Sequence, residues 1–138
     1  MMITEHAEVV LFYAEESLLF QVAAWVRTAG RWSLRLVASR DPVVVARGLE
    51  GAAVAIVDAT RHPGEAMAVL ERGVAGFAGP RVVIYSERMH DGLELFTRVR
   101  GAPLLLGPMT TAEWNAFFEP FERLLLGGGS RRQFRAGV

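Results

Sequence analysis

The chain contains no cysteine and no lysine, and each absence excludes particular kinds of chemistry. Without cysteine there is no disulfide, no zinc or iron–sulfur site with thiolate ligands, and no cysteine nucleophile. All 15 basic residues are arginines. The phosphate-binding lysine of a P-loop, a lysine Schiff base and a lysine general base are therefore excluded as well.

Long apolar segments are also missing. No apolar run reaches the roughly 18–20 residues of a membrane-spanning helix, and the N-terminus has no secretory signal, so we expect a cytoplasmic protein. The 15 basic residues balance 15 acidic ones, and this balance does not indicate binding to nucleic acid. A chain of 138 residues, 51% of them hydrophobic, is expected to form one domain around one core.

Five short runs rich in Val, Ile, Leu or aromatic residues alternate with longer segments of helical period. The predicted strands are 8–13, 33–38, 53–57, 81–85 and 103–106. The predicted helices are 17–29, 42–49, 64–73, 91–99 and 112–126. This alternation is typical of a doubly wound, flavodoxin-like α/β fold, a three-layer sandwich with a five-stranded parallel sheet in the order 2-1-3-4-5.

Four residues give signals for helix boundaries or breaks. Asp41 followed by Pro42 is a typical N-cap and first helical residue, and Gly30 is a typical end of the first helix. Pro120 lies inside the last helical segment, where the missing N–H and the bulk of the ring predict a kink or a split.

In a sheet of this order, functional residues gather at the carboxyl ends of the strands. The residues at those ends are Ala14, Glu15 and Glu16 after the first strand, Asp58 after the third, Ser86 and Glu87 after the fourth, and Gly107-Pro108 after the fifth. The loop of residues 14–17 has no glycine and is acidic, so it does not favour a nucleotide-binding or flavodoxin-like enzyme.

Four segments resemble the receiver domains of two-component response regulators. They are Ile56-Val57-Asp58, Val83-Ile84-Tyr85-Ser86, Gly101-Ala102 and Leu105-Leu106-Gly107-Pro108, and the resemblance extends to about Leu126. It implies a phosphoacceptor at Asp58 and a switch hydroxyl at Ser86. It further implies Mg²⁺ held by two acidic residues after the first strand, and a lysine before the proline that follows the fifth strand.

The sequence departs from this pattern at the residues that would handle phosphate. The acidic pair falls on Ala14 and Glu15 or, with a shift of one residue, on Glu15 and Glu16. Gly107 stands where the family has lysine, and Leu104 stands where many receivers have the aromatic residue of the switch. A phosphorylated aspartate needs a divalent cation and fixed donors, so these departures remove part of what the chemistry requires.

We therefore predict a pseudo-receiver, a non-enzymatic signalling module that needs no cofactor and acts through protein–protein contacts. An aspartate after a buried strand also caps the following turn, and we favour this role for Asp58. The alternative is an active receiver phosphorylated on Asp58, with Mg²⁺ held by Glu15, Glu16 and Asp58, and an arginine or backbone donors in place of the lysine.

The last predicted helix carries aromatic residues on more than one face. A helix buries only one face against a sheet, so part of this set is predicted to be a surface. Trp114, Phe118 and Phe121 are the candidates, and contact through the last helices would bind a protein partner or a second copy of the chain.

The C-terminal residues have a different composition. Residues 1–126 are predicted to form the receiver-like domain, and 127–138 a glycine-rich linker with an arginine-rich tail. Arg131, Arg132 and Arg135 resemble the opening of a PilZ domain, which implies cyclic di-GMP binding through a downstream domain. The chain would then be the N-terminal part of a larger regulator, although we favour a plain basic tail.

Overall fold

The computed structural model describes residues 7–75 and 81–126, which form a five-stranded parallel sheet in the order β2-β1-β3-β4-β5. The strands are β1 (Ala7–Phe12), β2 (Trp32–Val37), β3 (Val54–Asp58), β4 (Arg81–Ser86) and β5 (Leu104–Leu106). The helices are α1 (Glu16–Ala29), α2 (Pro42–Leu49), α3 (Pro63–Ala75), α4 (Leu93–Val99) and α5 (Thr111–Phe121). The predicted fold class and strand order are confirmed.

The sheet is buried on both faces, as the nearly continuous apolar strands require. In β3, Val54 and Ile56 pack with α1 and α5, whereas Ala55 and Val57 pack with α2, α3 and α4. Successive side chains of a strand point to opposite faces, so one short strand contributes to both halves of the core. The carboxyl ends of the strands, with the loops that follow them, form one edge of the molecule.

The local helix signals act as predicted. Asp41 accepts a hydrogen bond from the Val43 N–H at 2.8 Å, with Pro42 as the first residue of α2. Gly30 has a φ of 79°, and its N–H donates to the Val26 carbonyl at 3.1 Å at the end of α1. A left-handed residue at this point favours glycine, because a side chain would be strained there.

Helix α5 begins one residue earlier than predicted. Thr110 is its N-cap, because the Thr110 hydroxyl accepts from the Glu113 N–H at 3.1 Å and Glu113 accepts from the Thr110 N–H at 2.8 Å. Pro120 lies in the last turn of α5, and the chain continues as a π-helical segment over Glu122–Leu126. The break predicted at the proline is therefore a change of helix type.

The prediction that Trp114 and Phe118 form an interface is wrong, because their side chains are 1% and 0% exposed. The Trp25 ring stacks on Phe118 with the ring centroids 3.9 Å apart, and the Trp32 ring lies at 5.0 Å. Helix α5 thus packs against α1 as well as the sheet. Residues 114, 117, 118 and 121 follow the spacing i, i+3, i+4, i+7, so they lie on one helix face, and the expectation of more than one aromatic face is also wrong. Phe121 is half-buried, and its part in an interface stays a prediction.

Candidate functional site

Asp58 is buried at the end of β3, and both of its carboxylate oxygens accept hydrogen bonds from the backbone. The Glu15 N–H donates to Oδ2 at 2.9 Å, and the Thr60 N–H donates to Oδ1 at 2.9 Å. The bond to Thr60 is the local cap that an aspartate after a strand makes. The bond to Glu15 joins the loop after β1 to the end of β3.

The acidic residues after β1 do not gather around Asp58. Glu15 reaches Asp58 through its backbone, while its carboxylate lies 3.4 Å from the Arg61 guanidinium. Glu16 is exposed at the first residue of α1. Mg²⁺ requires several oxygen ligands close together, and no cluster of three such side chains occurs within residues 7–75 and 81–126. Glu15, Glu16 and Asp58 therefore do not form a group of three metal-binding side chains in this arrangement.

Ser86, the candidate switch hydroxyl, is buried at the end of β4 and closes a local turn. Its hydroxyl donates to the Arg88 carbonyl at 2.6 Å and accepts from the Arg88 N–H at 3.2 Å. Thr60 joins this loop to the one after β3, because its hydroxyl accepts from the Glu87 N–H at 3.0 Å and its carbonyl lies 3.0 Å from His90 Nε2. The sequence analysis did not single out Thr60.

The aromatic ring of Tyr85 lies against the backbone of Gly107. A Cβ at residue 107 would lie 2.1 Å from the Tyr85 hydroxyl oxygen and 2.4 Å from Cζ. Carbon atoms in contact are normally about 3.5–4 Å apart, so no side chain fits here while Tyr85 stays in place. The glycine in the position of the family's lysine is therefore required by the packing of a buried tyrosine on the neighbouring strand.

Tyr85 belongs to a polar cluster with Ser17, Gln21 and Glu87, which we call the Gln21 cluster. The hydroxyls of Tyr85 and Ser17 both donate to Glu87 Oε2. Gln21 Nε2 donates to the Tyr85 hydroxyl at 2.9 Å, to the Ser17 hydroxyl at 2.9 Å and to Glu87 at 3.3 Å. One carboxylate oxygen thus joins α1 to the loop after β4.

The same Gln21 side chain also binds the start of α5. Its Oε1 accepts from the Met109 N–H at 2.9 Å and from the Trp114 indole N–H at 3.1 Å. The sequence analysis missed this residue. Its only signal is the spacing of Ser17 and Gln21, four residues apart beside the apolar face of α1.

The cluster keeps Tyr85 neutral and Glu87 charged. Burial raises the pKa of Tyr85 above its ordinary value, and the hydrogen bond to Glu87 raises it further. Burial also raises the pKa of Glu87, but hydrogen bonds from Ser17, Tyr85 and Gln21 outweigh this effect, so that pKa lies below its ordinary value. Hydrogen bonds to a carboxylate favour its charged form.

The lowered pKa of Glu87 predicts a loss of stability in acid. The stabilisation is present above the pKa of an unfolded glutamate, about 4.3, and is lost as the pH falls through the lower folded value. Urea unfolding at neutral and acidic pH should show that the free energy of unfolding falls less between the two pH values in Glu87→Gln than in the wild type. Glu94→Gln, which alters an exposed ion pair with Arg98, is the control. Parallel losses in wild type and Glu87→Gln would contradict the prediction.

The arginines that suggest cyclic di-GMP binding, Arg131, Arg132 and Arg135, lie outside the described residues, as does the whole segment 127–138. Their role and the division at residue 126 stay predictions. Within the described ranges, no helix has both the length and the apolar character of a membrane span.

Neither a protein-family model nor a curated protein sequence matches the chain. Solved structures do. A two-component response regulator from Clostridium difficile superposes with a TM-score of 0.69 over 86% of this chain and 97% of that one, at 10% identity. A signal receiver domain from Clostridium thermocellum superposes with a TM-score of 0.66 over 89% of this chain and 98% of that one, at 16% identity. For a response regulator from Thermotoga maritima the TM-score is 0.65, the superposition covers 87% of this chain and 98% of that one, and the identity is 14%.

These similarities agree with the topology described above. The described residues form a parallel sheet in the order β2-β1-β3-β4-β5, with two helices on one face and three on the other. At such low identity the likeness concerns the fold and does not extend to the chemistry of single residues. The chain has the fold of the receiver domains of response regulators.

Proposed function

We propose that this chain is a cytoplasmic, non-enzymatic signalling module that acts through protein–protein contacts and does not accept a phosphoryl group on Asp58. The observation that carries the proposal is the packing of Tyr85 over Gly107. In the receivers that the sequence resembles, a lysine follows the last strand and faces the phosphoryl group. Here the corresponding space is filled by an aromatic ring.

The charges around Asp58 support the same function. A phosphoryl group on a carboxylate brings dense negative charge, which is stabilised by a divalent cation and fixed positive donors. Both oxygens of Asp58 instead accept from backbone N–H groups, and the carboxylate of Glu15 pairs with Arg61. Few of the parts for phosphoryl transfer are in position.

Arg61 favours the second candidate function, an active receiver. Its guanidinium lies 3.4 Å from the Glu15 carboxylate, and the Glu15 N–H binds Asp58. The Arg61 side chain is largely exposed and could turn towards a phosphoryl group in place of the missing lysine. Such a receiver would lose its phosphorylation when Arg61 is replaced.

Phosphorylation is tested by incubating the protein with acetyl phosphate and Mg²⁺ and measuring the intact mass. The mass of the wild type is expected to stay unchanged, as is that of Asp58→Asn, while a receiver domain known to react under the same conditions gains phosphate. Stoichiometric modification that is absent from Asp58→Asn would overturn the proposal. Loss of that modification in Arg61→Gln would support the active receiver.

The contact surface of the proposed module is the α4–β5 face, which we define by Leu95, Val99 and Leu106. All three side chains are exposed. Leu95 and Val99 are four residues apart and share one face of α4. Leu106 points to the same side of the sheet as Leu104, which packs with the core under α4. Exposed apolar residues grouped in this way are typical of protein interfaces.

A second copy of the chain fits this face because its charges are self-complementary. Glu94 and Arg98 form an exposed pair at 3.1 Å beside Leu95 and Val99. In a two-fold symmetric dimer the same surface meets itself, so the acid of one copy can face the base of the other. The α4–β5 face thus takes the role that the sequence analysis gave to Trp114 and Phe118.

The proposed dimer predicts a change of mass in solution. The wild type is expected to be dimeric by light scattering after size exclusion, and Leu95→Glu to be monomeric, because a charge buried at an apolar interface is costly. Phe20→Glu, an equivalent change at an exposed residue of α1, should remain dimeric. A wild type that stays monomeric at the highest attainable concentration contradicts the prediction.

A further inference from the structure

A pocket of about 290 Å³ opens at the carboxyl edge of the sheet, next to the loop after β1. Its volume is close to the lower end of the range of small-molecule sites, about 300–1,000 Å³. Open α/β sheets bind ligands outside the carboxyl ends of their strands, and this pocket lies at the ends of β1 and β2. Nothing in the phosphorylation chemistry of the fold requires it.

One wall of the pocket is apolar. It is formed by Leu11 of β1, Leu19 of α1 and Leu36 of β2. Leu36 lies on an edge strand, on the same face as Trp32 and Leu34, and remains 54% exposed because α1 does not cover it. An apolar group bound in the pocket would remove this leucine surface from water, which favours binding.

The opposite end of the pocket carries Arg40 and His62. Both pair with the single carboxylate of Glu65, Arg40 Nε at 2.7 Å and His62 Nδ1 at 3.5 Å. A guanidinium has five N–H donors, so one carboxylate oxygen on Nε leaves donors that can hold a second carboxylate. Glu65 already balances the charge of Arg40, so a bound carboxylate would be held by the spare guanidinium N–H donors rather than by an excess of positive charge.

Two residues of the loop after β1 adapt the pocket to such a ligand. Tyr13 lines the pocket with a φ of 61°, a left-handed conformation that residues other than glycine seldom adopt and that is common at functional sites. Ala14, which also lines the pocket, occupies one of the two acidic positions of the receiver pattern in the alignment that places the pair on Ala14 and Glu15. A carboxylate there would repel an anion, whereas alanine adds apolar surface.

We infer that this pocket binds a small amphipathic acid, with its apolar chain against Leu19 and Leu36 and its carboxylate on Arg40. This inference rests on the proposed function, because the ligand would provide the input that phosphorylation provides in an active receiver. The same alanine that removes an acidic metal ligand makes the pocket compatible with an anion.

Hexanoate is the probe, with hexanol and hexylamine of equal chain length as controls for the charge. Each is titrated into ¹⁵N-labelled full-length protein and followed by amide chemical shifts. Hexanoate should shift the signals of Ala14, Leu36 and Arg40 with a Kd of about 1 mM, and the two controls should bind at least about tenfold more weakly. Equal affinity for hexanol, or no shift at these residues, would overturn the inference.

The walls of the pocket are tested by two substitutions at exposed side chains. Leu36→Asn and Arg40→Gln should each weaken hexanoate binding by about fivefold or more. Leu124→Asn is the matched control, because Leu124 is 67% exposed in the segment after α5 and does not line the pocket. The amide spectrum of each variant reports whether it is folded. Binding by folded Leu36→Asn with the affinity of the wild type would overturn the inference.

The outcome separates this inference from the proposed function. If Asp58 remains unmodified by acetyl phosphate and hexanoate does not bind, only the pocket inference fails. If Asp58 is phosphorylated and hexanoate binds as described, the pocket inference stands and the proposed function fails.

Discussion

Gly107→Ala is expected to lower the free energy of unfolding by about 3 kcal/mol, the upper end of the range for an overpacked core. The added Cβ would lie 2.1 Å from the Tyr85 hydroxyl oxygen and 2.5 Å from Cε2. Tyr85 is fully buried and close to the Trp114 ring, with the centroids 6.1 Å apart. Its hydroxyl is also bound to Gln21 and Glu87. The ring cannot give way without breaking these contacts.

A double-mutant cycle tests whether the cost arises from Tyr85. Tyr85→Phe keeps the ring carbon 2.4 Å from the added Cβ, so Gly107→Ala should remain costly in that background. Tyr85→Val removes the ring, and there Gly107→Ala should cost at least about 1 kcal/mol less. Each cycle needs four free energies of unfolding, those of the wild type, the two single variants and the double variant, and all are measured by urea unfolding. Additive effects of Gly107→Ala and Tyr85→Val would contradict the proposed contact.

This result would also bear on whether a lysine could stand at residue 107. If residue 107 tolerates a side chain only when Tyr85 is reduced, the lysine cannot be restored by one substitution. The space beside residue 107 would then hold either a phosphate-binding lysine or the Tyr85 ring of the Gln21 cluster, but not both. Within the described residues, the hydrogen bonds of the Tyr85 hydroxyl are all with the cluster, so this side chain has a structural role.

Much of the fold follows from local sequence patterns. Apolar runs predicted the five strands, and residues such as Asp41 predicted helix boundaries that lie within one or two positions of the observed ones. Strand β1 ends at Phe12, one residue earlier than predicted, because Tyr13 turns into the left-handed region. Helix α4 starts at Leu93, after Gly92 with a φ of 82°. Asp91-Gly92 is a turn signal that should have moved the predicted start of this helix, whereas the conformation of Tyr13 has no such signal in the neighbouring residues.

The site could be predicted only in part. The predicted carboxyl ends of the strands placed Asp58, Glu15 and Gly107 correctly at one edge of the sheet, because the topology alone brings these residues together. The sequence does not reveal that Glu15 reaches Asp58 with its N–H rather than its carboxylate. Nor does it reveal the contact between Tyr85 and Gly107, since both depend on side-chain packing between distant parts of the chain.

The aromatic residues of α5 show a different error. Positions 114, 117, 118 and 121 have the i, i+3, i+4, i+7 spacing of one helix face, so the interface predicted at Trp114 and Phe118 rested on a wrong assignment of faces. Trp25 of α1 and Trp32 of β2, far away in the sequence, pack against this face. Helical periodicity describes one helix and cannot show how many neighbours it has. The exposed leucines of α4 and β5 gave no comparable signal.

Phe118→Ala is expected to lower the free energy of unfolding by about 3–5 kcal/mol, the usual cost of truncating a buried phenylalanine. The Phe118 side chain is fully buried and packs against the rings of Trp25 and Trp32, which also contact each other. Trp25 Nε1 donates to Asn115 at 2.6 Å, and this bond holds α5 against α1, so the cavity cannot easily collapse.

Urea unfolding of Phe118→Ala and Leu95→Ala compares a buried with an exposed residue, and the effect of the second should be within about 0.5 kcal/mol. Phe118 is expected to act on stability alone and Leu95 on association alone, because they lie in the core and on the α4–β5 face respectively. Light scattering of a folded Phe118→Ala should therefore give the same association state as the wild type. A stable but monomeric Phe118→Ala would assign this residue to an interface after all and would contradict its place in the core.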